Sequence, residues 1–195
     1  MCGIVGGVNI KWKSDPLKTI EHRGPDSKSF FKNNKIYLGH SRLSIIDTSD
    51  NANQPMISND KNWIIIFNGE IYNHKDIREE LVKKYNTSFI STSDTETLLK
   101  GWIIYKEDIL KKLNGIFSFA IFEKDKNKLT LVRDPFGVKP LYIYRYKNNF
   151  AFSSELKSFL QIEEFNNQIN LKGIINHCTF LWNPGSETMY KNVKK

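Results

Sequence analysis

The chain has 195 residues, 39% of them hydrophobic and 26% charged, enough for one domain whose core needs neither disulfides nor a structural metal. No apolar run approaches the roughly 20 residues that cross a bilayer, so no membrane partner is expected. The formal charge of +8 rests mostly on lysines spread along the chain, with arginine only at Arg23, Arg42, Arg78, Arg133 and Arg145; this dispersion fits a solvated basic surface, and no nucleic-acid partner is expected.

The apolar stretch Cys2–Val8 has no basic residues ahead of it and no cleavage pattern behind it, so a secretory signal is not expected and the cytoplasm is the default location. Residues 62–67 predict a buried strand, ended by the turn-prone Asn68-Gly69. Asn73 is expected to cap a helix over 74–85, where Ile77, Leu81 and Tyr85 recur on one face. A second helix starts near Ser93, with Glu96 completing a capping box. Its bulky Leu98, Leu99, Trp102, Ile103 and Tyr105 predict burial on more than one side. Segments 115–123, 128–134, 141–146 and 149–155 read as consecutive antiparallel strands, the first apolar on both faces. Asp134-Pro135-Phe136-Gly137 has the composition of a tight turn. A short helix from Ser154 to about Leu160, a helix over Leu171–Phe180 and an extended run over 182–195 complete the pattern. Grouped strands flanked by helices indicate an α+β layered fold.

The two cysteines, Cys2 and Cys178, make no disulfide framework, and His22, His40, His74 and His177 lack metal-ligand spacing, so no metal site is predicted. Cys178 sits among apolar residues and is expected to be a buried bystander. Cys2 differs, because it is the second residue and is followed by Gly3-Ile4-Val5-Gly6-Gly7. Removal of Met1 would put a thiol and an α-amine of pKa about 8 on one residue. That amine can take the thiol proton and later pass one to a leaving amine. A chain that keeps Met1 has no free amine on Cys2 and is expected to be inactive by this route.

Six motifs occur in series: Met1–Gly6, His22-Arg23-Gly24-Pro25-Asp26, His40-Ser41-Arg42-Leu43-Ser44-Ile45, Asn68-Gly69-Glu70-Ile71-Tyr72-Asn73, Ser93-Asp94-Thr95-Glu96 and Arg133–Leu141. Together they resemble the class II glutamine amidotransferase domain of the asparagine synthetase (glutamine-hydrolysing) family, over essentially the whole chain. The resemblance implies the amino-terminal-nucleophile (Ntn) hydrolase fold, a four-layer αββα sandwich with Cys2 at the end of a central strand. It implies glutamine as substrate and Cys2 as nucleophile. Arg42 would grip the α-carboxylate, which suits a planar two-pronged guanidinium, and Asp94 would pair with the ammonium. Glu70 and the backbone of Leu43, Ile45 and Ile46 would line the pocket. Asn68 and Gly69 would form the oxyanion hole, a side-chain amide and a backbone N–H aimed at the developing charge. His22, Arg23, Asp26 and Arg133–Leu141 are assigned to loop shaping, Tyr72 to packing and Asn73 to capping.

Two departures from the family pattern matter. The segment between Gly7 and His22 is short, which either thins the outer helical layer or alters how a neighbouring domain docks. No Ser-Gly-Gly-x-Asp-Ser loop of an ATP-using synthetase is present, so residues 1–160 are taken as the glutaminase domain and 161–195 as a connector towards a synthetase domain. The expected function is glutamine hydrolysis to glutamate and ammonia for an ATP-dependent, asparagine-synthetase-like amidation; the alternative is a non-catalytic glutamine-binding or docking module for a separate synthetase. The glutaminase half needs no cofactor, with ATP and Mg expected only on the synthetase domain. A C-terminal synthetase domain or separate subunit is the expected partner, and a homodimer is left open.

Overall fold

The computed structural model describes residues 1–195 as two antiparallel sheets packed face to face. The first runs β10-β8-β9-β1-β3-β2 and the second β4-β5-β6-β7. Their strands are β1 (Gly3–Val8), β2 (Ser27–Lys32), β3 (Ile36–Arg42), β4 (Met56–Ile57), β5 (Trp63–Ile71), β6 (Gly115–Glu123), β7 (Lys128–Arg133), β8 (Tyr142–Tyr146), β9 (Asn149–Ser153) and β10 (Val193–Lys194). Helices α1 (His74–Tyr85) and α2 (Asp94–Tyr105) follow β5, and α3 (Leu171–Phe180) precedes β10.

Strand alternation sorts the side chains into layers. Even-numbered positions meet between the sheets: Ile4 of β1, Ile36 and Leu38 of β3, Ile64 and Ile66 of β5, Ala120 and Phe122 of β6, and Phe152 of β9. Odd-numbered positions of β5 and β6 (Ile65, Phe67, Phe119, Ile121) pack instead against Ile77 and Leu81 of α1 and Leu98, Leu99 and Trp102 of α2. Burying each such Ile, Leu or Phe contributes about 1.5–3 kcal/mol. On the outer face of the first sheet, Val5 and Tyr37 meet Leu17 and Ile20, and Tyr144 and Ala151 meet Phe159. This layer is built from short 3₁₀ turns, Pro16–Thr19, Glu21–Arg23 and Leu156–Gln161, the first within the short Gly7–His22 segment and the second at its end. No helix is long and apolar enough to cross a membrane.

Several local expectations are corrected. Asn68-Gly69 is not a turn: β5 continues through it to Ile71, with Asn68 opposite Ser118 and Gly69 opposite Phe117. Nine residues of pairing with β6 outweigh a two-residue turn preference. Gly69 is required there for close approach, since a Cβ would lie 2.4 Å from the Ile116 carbonyl oxygen and 2.6 Å from Phe117 Cα. Asn73 does not cap α1 with its side chain; its amide donates to the Lys112 carbonyl at 2.8 Å and its Oδ1 accepts from the Asn114 N–H at 2.9 Å, while Tyr72 is exposed rather than packed. Tyr85 at the end of α1 is also exposed. Half of the capping box forms: Ser93 Oγ accepts from the Glu96 N–H at 3.2 Å. The Glu96 carboxylate reaches past the cap to the N–H groups of Ile90 and Ser91, at 3.0 and 2.8 Å. The helix expected from Ser154 is the 3₁₀ turn Leu156–Gln161. Cys178 is exposed, because α3 buries only Gly173, whose missing Cβ admits the Thr188 carbonyl. Residues 182–195 are not one extended run: Gly185, with φ 72°, lets the chain double back before β10 pairs with β8, Val193 opposite Tyr144.

Candidate active site

The alternation that builds the core also builds a pocket. At one end of the sandwich the same even-numbered positions turn polar: Cys2 before β1, His40 and Arg42 closing β3, and Asn68 and Glu70 closing β5. Leu43, Ile45 and Ile46 follow β3, and Asp94 opens α2. Cys2, Arg42, Leu43, Ile45, Ile46, Asn68, Gly69, Glu70 and Asp94, the complete set predicted for catalysis and substrate binding, all line one cavity of about 260 Å³. That volume lies just below the range of drug-sized ligand sites, about 300–1,000 Å³, and suits an amino-acid-sized ligand.

The Cys2 sulfur is seated on the chain that follows β3. The Leu43 N–H donates to Sγ at 3.3 Å, and the thiol faces the Leu43 carbonyl at 3.5 Å. Burial pushes the thiol pKa up; the Leu43 contact, the amino-terminal charge and Arg42 oppose this. Two residues assigned to loop shaping act on this seat. Arg23 Nε donates to the Cys2 carbonyl at 3.0 Å while its Nη1 binds Glu155 at 2.8 Å. Asp26 accepts from the Ser44 N–H at 2.7 Å, holding the segment that carries Leu43.

Asn68 is fully buried, and neither its Nδ2 nor its Oδ1 has a partner. A buried amide left so costs about 1–3 kcal/mol, and such a group in a cavity wall is poised for a ligand. The neighbouring backbone is equally specific. Past the short β4, the outward edge of β5 has no strand beside it, and side chains take its N–H groups. Phe67 N–H donates to Gln54 Oε1 at 2.6 Å and Ile71 N–H to Asp94 Oδ2 at 3.0 Å. Antiparallel alternation turns the Gly69 N–H to this same edge, at the cavity wall. Behind it, buried His40 donates from Nε2 to the Phe67 carbonyl at 3.0 Å; burial lowers its pKa to about 3, so the ring is neutral.

Arg42 is anchored to the loop that follows it. Nη1 donates to the Ser49 carbonyl at 3.0 Å and to Asn53 Oδ1 at 2.6 Å, and Nη2 donates to the Asp47 carbonyl. Lys139 and Gln54 also line the cavity, outside the set expected from the sequence. Lys139 lies within the Arg133–Leu141 motif, so a signal existed; its loop is organised by Asp134, which accepts from the N–H groups of Phe136, Val138 and Lys139 at 3.0–3.1 Å. Gln54 sits in an irregular segment with no periodicity to mark it. No group of three or more His, Cys, Asp or Glu side chains is arranged to hold a metal ion.

Asp94 has a raised pKa of about 6, chiefly because burial disfavours its charge; Glu70 adds to this, while the N–H donors of Ile71 and Thr95 oppose it. In the unfolded chain the same group titrates near about 3.9. Folding therefore favours the protonated acid, and ionising it costs stability as pH rises from about 4 through 6, on the order of 3 kcal/mol in total. Asp94→Asn is expected to stabilise the ligand-free protein by about 1–3 kcal/mol at pH 7.5, the gain vanishing below about pH 4. Urea denaturation of both proteins across that range checks this; equal stability at pH 7.5 would mean that Asp94 is not an uncompensated anion. A cationic group of a ligand would supply the compensation.

Comparison with known proteins agrees with this geometry. The whole chain, residues 1–195, matches the glutamine amidotransferase domain family. It is 40% identical over 205 residues to asparagine synthetase (glutamine-hydrolysing) 1 of Bacillus subtilis, covering 100% of this chain and 32% of that protein. It is 37% identical over 221 residues to the putative asparagine synthetase (glutamine-hydrolysing) 2 of Methanocaldococcus jannaschii, covering 100% of this chain and 42% of that protein. The chain thus spans about a third to two-fifths of the length of these relatives. Among solved structures, the glutamine phosphoribosylpyrophosphate amidotransferase of B. subtilis superposes with a TM-score of 0.69 at 20% identity, over 82% of this chain and 43% of that one. That likeness establishes the fold, an Ntn-hydrolase sandwich.

Proposed function

The chain belongs to the glutamine amidotransferase domain family, and from that premise we propose that it hydrolyses free glutamine to glutamate and ammonia, with Cys2 as nucleophile once Met1 is removed. The observation that carries this reading is the single cavity that joins a cysteine sulfur, an unpartnered buried amide at Asn68, and two groups of opposite charge at Arg42 and Asp94. A small zwitterion with an amide side chain matches each of these. Arg42 faces its carboxylate and Asp94 its ammonium, which leaves the δ-carboxamide for Cys2.

In the reaction the Cys2 α-amine takes the thiol proton, and the sulfur attacks the carboxamide carbon. The carbonyl electron pair moves onto oxygen, where Asn68 Nδ2–H and the Gly69 N–H donate to it. Collapse of this intermediate expels ammonia, which leaves with the proton carried by the Cys2 ammonium. Water then cleaves the γ-glutamyl thioester and restores the thiol. An amine acting as base and then as acid contributes about 10²–10⁴-fold. It is needed because a thiol is mostly protonated at neutral pH, its ordinary pKa being about 8.5, and burial pushes that of Cys2 higher still.

The ammonia is proposed to serve an ATP-dependent amidation of the asparagine-synthetase type in the cytoplasm. ATP and Mg belong to a synthetase domain, or separate subunit, reached through the connector at 161–195. Mass spectrometry of the amino terminus and ammonia release from glutamine test the proposal together. The expected outcome is a chain starting at Cys2 that releases ammonia from glutamine and not from N-acetylglutamine, which lacks the ammonium. A native chain that retains Met1 and turns over nothing would favour a non-catalytic glutamine-binding module.

A further inference from the structure

Arg42 and Asp94 stand on different elements, one closing β3 and the other opening α2, yet a zwitterion needs them at one separation. A single residue spans them. The Asp47 carbonyl accepts from Arg42 Nη2. Its carboxylate Oδ2 accepts from the Thr92 N–H at 2.6 Å and Thr92 Oγ1–H at 2.9 Å, two residues before Asp94. Oδ1 accepts from the Ser49 N–H at 2.8 Å and Ser49 Oγ–H at 2.6 Å, and the Ser49 carbonyl in turn holds Arg42 Nη1. The far side of the Thr92 turn is braced as well. Arg78 of α1 donates to the carbonyls of Ser91 and Ser93 at 2.6 and 2.8 Å and to Thr97 Oγ1 at 3.1 Å.

We propose that Asp47 is a positioning residue, a strut that sets the distance between the carboxylate-binding Arg42 and the ammonium-binding Asp94 and thereby selects free α-amino acids. The proposal rests on the reading of Arg42 and Asp94 as head-group contacts. Asp47 lies at the cavity wall, but four donors already occupy its carboxylate oxygens and hold the carboxyl well below the usual carboxylate range. It therefore acts through its neighbours rather than by binding the ligand ammonium itself.

The test uses the Met1-processed chain and its Asp47→Ala, Thr92→Val and Asp94→Asn variants, with each of the first two also combined with Asp94→Asn. Three quantities are read: KM and kcat for ammonia release from glutamine, and the rate at which iodoacetamide, which has no amino-acid head group, alkylates Cys2. Asp47→Ala is expected to raise KM by about 10- to 100-fold, the scale of losing one charge-assisted head-group contact. Its kcat should change by less than about threefold and its iodoacetamide rate not at all. In the double variant KM should be no higher than in the worse single variant, because both changes disable one device. If Asp47→Ala does not fold, Thr92→Val, which removes one hydroxyl contact, should raise KM about three- to tenfold with the same non-additivity. An unchanged KM, a fall in kcat and iodoacetamide reactivity matching the rise in KM, or multiplicative losses with Asp94→Asn would overturn the strut. Wild-type KM in Asp94→Asn alone would sink the head-group reading, and the strut with it.

Discussion

Cys2→Ala is expected to lower glutamine turnover by on the order of 10⁵–10⁶-fold, the scale on which a hydrolase loses its nucleophile. The fold should hardly respond. The Cys2 sulfur makes only a pair of weak contacts, both to Leu43, so the change in stability should stay within about 1 kcal/mol. Glutamine affinity, measured by calorimetry, should persist, because Arg42, Asp94 and the cavity wall are untouched. This separation of binding from turnover makes the variant informative. Ammonia release that survived in Cys2→Ala would remove the sulfur from the mechanism, whereas loss of both binding and turnover would point to a damaged pocket. Arg23, which anchors the Cys2 carbonyl at 3.0 Å, keeps its partner in this variant, so the backbone at position 2 should not move.

The second large effect is expected at Asn68. Asn68→Ala should cut kcat by about 10²–10³-fold, the cost of one donor to a developing oxyanion, with KM changed little. The reason lies in the ligand-free structure, where both amide atoms are buried without a partner. A donor held in that state gains most when charge appears in front of it. The same reasoning predicts that the variant loses no stability, since removing the unpartnered amide offsets the small void left behind. Steady-state kinetics paired with thermal unfolding would reveal both signs. A raised KM with normal kcat would instead make Asn68 a ground-state contact. Asn68→Asp should be at least as damaging, because it sets a carboxylate against the oxyanion.

The complete set of residues assigned to the pocket from the sequence converges on one cavity, although residues 2, 42, 68 and 94 come from four separate stretches of the chain. Motif order made them legible, because each motif sits at a strand end or a helix start. The turn signature of Asn68-Gly69 misleads, because those two residues look the same locally in a hairpin and in a long strand. Gln54 gave no signal at all, since its role depends on where β4 stops beside β5. The roles of Arg23 and Asp26 were equally invisible, because each consists of one hydrogen bond to a backbone distant in the chain.

The sequence by itself determined the chemical inventory: a thiol one residue from the amino terminus, an arginine and an aspartate of opposite charge, an amide, and strands grouped between helices in an α+β layered pattern. Only the tertiary structure decided how those groups behave. Pairing with β6 straightened Asn68-Gly69 and turned a backbone N–H towards the cavity, because many non-local hydrogen bonds outweigh one local preference. Burial, which no residue type announces, lifted Asp94 to about 6 and kept His40 neutral, since the cost of a charge is set by the solvent it has lost rather than by the side chain that carries it.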